Sequence, residues 1–135
     1  MALPNGGGGY QVGAGNRNET VLGALAAPQT ATSTATLTAA QVTGNWLVAN
    51  PSTSAATYTL PTGALIDAAV PNATVGSTFD LAVVNVGTSS GTVTLATATG
   101  ITDGGNAFVA VAITSSAVFR FRKTGDAAYT VYKIA

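Results

Sequence analysis

The side chains that usually do chemistry are few in this sequence and stand far apart. Histidine and cysteine are absent, which removes the commonest general base and the commonest thiol nucleophile. Disulfides and thiolate metal sites go with them. Five carboxylates remain: Glu19, Asp67, Asp80, Asp103 and Asp126. A glycosidase needs two such groups facing each other across the scissile bond, and nothing in the spacing marks a pair. Asp103-Gly104-Gly105-Asn106 lacks the alternating oxygen ligands of a calcium loop and reads as a glycine-rich turn. Gly13-x-Gly15-x-x-Asn18 lacks the third glycine, the preceding strand and the following helix of a dinucleotide fingerprint. Leu60-Pro61-Thr62-Gly63 lacks the middle residue of a sortase signal and sits mid-chain. No catalytic, cofactor-binding or metal-ligating residue is assigned, and a non-enzymatic protein is expected.

What remains are groups that bind. Arg120, Arg122 and Lys123 form a basic stripe near the C-terminal end. It reads either as a hairpin face held by salt bridges and water or as a docking site for an acidic surface. Single-strand nucleic acid would need aromatics interleaved on the same face, whereas Phe119 and Phe121 alternate with the arginines. Near the start, GGGGYQVGAGNRNET runs from Gly6 to Thr20. Glycines let a chain leave a folded body in any direction. Tyr10, Val12, Arg17, Asn18 and Glu19 supply the apolar and charged contacts of a docking peptide. This stretch reads as an arm that orders on a partner, with a plain linker as the alternative.

Composition bears on what those groups could meet. Only 7% of the 135 residues are charged, against roughly 25% in ordinary soluble domains. So poorly charged a surface fits a protein largely covered by copies of itself or by a larger assembly, more readily than a Thr/Ser-coated secreted domain. Net charge is zero, so no long-range field recruits nucleic acid or an anionic membrane. One cation faces four anions through Phe119, and four cations face one anion from Arg120 onward. That asymmetry fits subunit complementarity. The first residues carry no signal-peptide pattern, and no apolar run approaches the ~18–20 residues of a membrane span. Synthesis and assembly in a cytoplasm are expected.

The elements that must position these residues are strands. Turn residues punctuate the chain about every ten residues, the mark of many short strands in a β-sandwich or jelly-roll-like barrel. Thr20–Leu25, Thr30–Thr38, Trp46–Asn50, Ala56–Leu60, Thr78–Val86, Thr92–Thr97, Phe108–Ile113, Val118–Arg122 and Tyr129–Ile134 read as strands. Gly63–Val70 is the one expected helix, closed by Pro71. Thr102–Asn106 reads as a loop. The expected class is all-β, a single domain over residues 32–135 with a Gly-rich arm over residues 1–31. Alternation predicts a core of Trp46, Leu60, Phe79, Leu81, Val83, Val93, Leu95, Phe119, Phe121 and Val131.

Certain of these stretches carry a resemblance. Leu60-Pro61-Thr62, a short helix, Val75-Gly76, Phe79, Asn85, Gly100-Ile101-Thr102 and Phe119 through Lys123 resemble the pattern of a small β-domain widespread in structural proteins of tailed bacteriophages. The resemblance covers roughly residues 56–135. It implies a capsid decoration (cement) protein on the virion surface, commonly a homotrimer, bridging neighbouring subunits of the major capsid protein. Similar modules end head fibres and tail fibres, which leaves a receptor- or glycan-binding head domain as the alternative. That alternative expects Tyr58, Tyr129 or Tyr132 to face outward.

Overall fold

The chain winds before it doubles back. The computed structural model describes residues 22–135. They form β1 (Gln29–Ala31), β2 (Ala35–Thr36), α1 (Ala39–Thr43), β3 (Trp46–Ala49), β4 (Ala56–Thr59), α2 (Gly63–Ala69), β5 (Thr78–Asn85), β6 (Val93–Ala96), β7 (Ile101–Gly105), β8 (Ser115–Gly125) and β9 (Ala128–Lys133). A six-stranded sheet has the order β1-β3-β5-β8-β9-β7, and a three-stranded sheet the order β2-β4-β6. The first seven strands therefore visit the two sheets in turn, β8 and β9 stay in the large one, and each of the first two coils is closed by a short helix.

Local sequence explains the repeat. Leu37-Thr38 and Leu60-Pro61-Thr62 end the second strand of each coil with a buried leucine, followed by a threonine that caps the helix. The Thr38 hydroxyl accepts from Gln41 N at 3.2 Å, and the Gln41 side chain accepts in return from Thr38 N at 2.8 Å, a reciprocal capping box. The Thr62 hydroxyl accepts from Leu65 N. Val42 and Ile66, each four residues past its cap, are buried, and the two helices pack on one another. Helices this short are marginal alone, so this tertiary burial holds them.

Strands dominate as expected, but what joins them differs from the antiparallel connections of a sandwich or jelly roll. β1, β3 and β5 pair in parallel, as do β2, β4 and β6, and β7 with β9. Only β5–β8 and β8–β9 are antiparallel strand pairs among the described residues. The body begins at β1, inside the stretch that the sequence assigns to the arm. Residues 22–25 have no regular structure, and Thr30–Thr38 is two short strands with a break between them. Thr102–Asn106 is largely strand β7 rather than loop, laid parallel to β9. Phe108–Ile113 is irregular, with one bridge between Val111 and Val93. α1 is a second helix that the sequence did not announce.

One core lies between the sheets and helices. Leu47, Tyr58, Ile66, Leu81, Leu95, Phe119, Phe121 and Val131 are all essentially inaccessible. Phe79 is half-buried and stacks on Phe121, centroids 4.9 Å apart. Trp46 is not in the core: it is half-buried on the opposite face of its strand, while Leu47 and Ala49 point inward. The remaining expected core residues are buried.

Close approach of backbones locks α2 to the β8–β9 turn. A Cβ on Gly63 or Gly100 would collide with the carbonyl of Ala127, and Gly100 also has φ +84. A side chain at either position would force the turn away from the helix.

Candidate functional site

The inner side of β8 carries an ionic cluster. Asp67 on α2 accepts hydrogen bonds from Lys123 Nζ at 2.6 Å, Tyr129 Oη at 2.5 Å and Ala127 N at 2.7 Å. The hydrogen bonds from Lys123, Tyr129 and Ala127 lower the Asp67 pKa to about 2. Burial first, then the hydrogen bond to Asp67, push the Tyr129 phenol well above its ordinary value. At neutral pH the carboxylate is thus ionised and three times bonded, and the phenol keeps its proton. This arrangement ties a helix to a hairpin.

Lys123 therefore leaves the basic stripe. Residues 117, 119, 121 and 123 share the buried face of β8, and residues 120 and 122 the exposed one. Strict alternation demands this parity, so it was available in the sequence. The identity of the partner was not, because Asp67 lies 56 residues away.

Arg120 and Arg122 do point outward. Arg120 forms a two-pronged pair with Asp80 on β5, Nε to Oδ1 at 2.8 Å and Nη2 to Oδ2 at 2.9 Å. The guanidinium lowers the Asp80 pKa, and the carboxylate raises that of Arg120. The pair is half-exposed, so water screens it. Arg122 has no carboxylate within salt-bridge distance among the described residues. Tyr10, Val12, Arg17, Asn18 and Glu19 lie outside the described residues.

Beside the arginines, the outer face of the large sheet is apolar. Pairing sets Trp46, Ala82, Val118 and Ile134 in one row across β3, β5, β8 and the end of β9. Val48 and Val84 lie side by side in the next row. These residues are half-buried, with Ile134 exposed, and none belongs to the core. Two open grooves flank the face. One, of about 470 Å³, is lined by Asn106, Val109, Lys133, Ile134 and Ala135. The other, of about 340 Å³, runs along Val84, Val86 and Ser116. Sequence reading missed this surface because WLVA and LAVV are apolar on both parities, so alternation marks no outer side.

The exposed residues before β1 approach the same face. Trp46 Nε1 donates to the Ala26 carbonyl at 3.0 Å, whereas Leu22 and Leu25 are 85% and 68% exposed. Among the described residues, no group of three or more acidic, histidine or cysteine side chains is placed to hold a metal ion, and no helix is long and apolar enough to cross a membrane. The arrangement can bury apolar area against another chain and offer guanidinium groups at its margin. Comparison with protein-family models, curated proteins and solved structures gives no match.

Proposed function

We propose that the chain is a non-enzymatic virion structural protein that decorates a phage capsid and stabilises it by bridging neighbouring major capsid subunits. One observation carries this reading: the outer face of the six-stranded sheet joins an apolar row over four strands to two outward arginines, a surface suited to a protein partner. Interfaces are enriched in aromatic residues and arginine, and this face carries Trp46, Arg120 and Arg122. The resemblance over residues 56–135 supplies the capsid context, and the low charge of the chain agrees with a surface that works while covered. Burying area across capsomer joints would stabilise the shell by mass action.

The receptor- or glycan-binding alternative draws less support. Of Tyr58, Tyr129 and Tyr132, any of which it expects outside, the first two are buried and Tyr132 is half-buried. The Tyr58 and Tyr129 hydroxyls are bound to the Thr32 carbonyl and to Asp67.

The test is co-sedimentation of the purified protein with empty shells assembled from the major capsid protein of the same virus. The expected result is saturable binding and a raised melting temperature of the shell. Failure to bind shells, with binding to host cells, would overturn the proposal.

A further inference from the structure

We infer that the apolar outer face of the six-stranded sheet is the seat of the leading segment of a second copy of this chain, with Leu22 and Leu25 as its anchors. The inference does not rest on the capsid reading and would hold for the protein free in solution.

Four observations point to this occupant. First, the face is apolar over four strands and unpartnered among the described residues: Trp46, Val48, Val84 and Val118 lie outside the core cluster and keep part of their surface in water. Second, the described part of the leader, from Leu22 onward, reaches only its margin. Ala26 is fixed on the Trp46 indole, yet the leucines one and four residues earlier remain exposed. Leucines that folded back across their own sheet would be covered. Third, two exposed leucines on an irregular segment form a short apolar plug, and five branched or aromatic side chains, Trp46, Val48, Val84, Val118 and Ile134, form the surface it needs. Each copy thus carries one plug and one seat, the complementarity that lets identical chains close into a symmetric oligomer. Fourth, the charges match. Glu19 precedes Leu22 by three residues, and Arg122, on the same outer face, lacks a carboxylate among the described residues.

The mechanism is burial of apolar area, with the leader ordered as it docks. Exchange between copies gives each chain two contacts, one as donor and one as acceptor.

Disulfide trapping tests this directly, because the chain has no cysteine of its own. Leu25→Cys and Val84→Cys are made in separate full-length chains, with Val48→Cys as a second acceptor should Val84→Cys fail to fold. All these positions lie outside the core, and an unchanged thermal melt confirms the fold of each variant. The two variants are mixed and oxidised. The expected result is a shift of the mixture to a reducible heterodimer containing one chain of each kind. The double variant, with both cysteines in one chain, should likewise give intermolecular species. A double variant that closes only on itself would overturn the inference, showing that the leader lies on its own sheet. A mixture that yields no heterodimer would also overturn it.

Discussion

The two faces of the six-stranded sheet are built from similar residues and do different work. On the inner face, Leu81, Val83, Phe119, Phe121 and Val131 are wholly buried, and the Asp67–Lys123–Tyr129 cluster closes one end. On the outer face, Val48, Ala82, Val84 and Val118 are only half covered, and the ion pair there is open to water. Around the row from Trp46 to Ile134 hydrophobic content does not separate the faces, whereas Asp80, Arg120 and Arg122 mark the outer side at the other end of β5 and β8. What separates the faces around that row is whether a second layer of the same chain lies above. The inner face has the small sheet and two helices; the outer face has no such layer among the described residues.

The largest effect should come from the inner face. Phe119→Ala removes a fully buried ring and should cost about 3–5 kcal/mol, visible as a large fall in the denaturation midpoint. If it left the midpoint unchanged, the core would not be where the sheet places it.

Asp67→Asn should come next. It leaves the Lys123 ammonium without its counter-charge, and removing one partner of a shielded pair is costlier than removing both. The melting temperature should fall at pH 7, and Asp67→Asn/Lys123→Met should recover part of the loss. The same carboxylate sets an acid limit. Its pKa in the folded protein is about 2, below the ~4 of an unfolded aspartate. The stability it contributes is present above pH ~4 and is lost as pH falls from there toward about 2. Melting curves between pH 7 and pH 2 should converge for the wild type and Asp67→Asn at the acid end. Curves that stay parallel would show that Asp67 is not the group titrating.

The outer face should give small effects on folding. Arg120→Ala should barely move the melting temperature, since its pair with Asp80 is half-exposed. Its effect should fall on association, measured as a change in its salt dependence.

Part of this comparison was legible in the sequence. The alternation in VFRFR put Phe119 and Phe121 inside and both arginines outside, and the structure agrees. The helix was announced over Gly63–Val70 by the Pro71 that closes it, and the structure has it over Gly63–Ala69. Strand direction was not legible, because period-2 alternation is the same for parallel and antiparallel neighbours. The coil repeat was hidden for a related reason. Ala35 pairs with Tyr58, and Tyr58 with Leu95, so the spacings are unequal and the paired residues dissimilar. Trp46 was misplaced because WLVA is apolar at every position, and only pairing with Ala82 fixes its side. The outer face as a whole was invisible for that reason. Binary patterning identifies a buried side only where the other side is polar.

The central claim is that the outer face serves association and contributes little to the fold, and Val84→Lys tests it most directly. Sedimentation velocity over a concentration series, on a variant whose stability stays within about 0.5 kcal/mol of the wild type, should show an oligomer for the wild type and a monomer for Val84→Lys. A variant that sediments as the wild type does, or a wild type that remains monomeric throughout, would contradict the account.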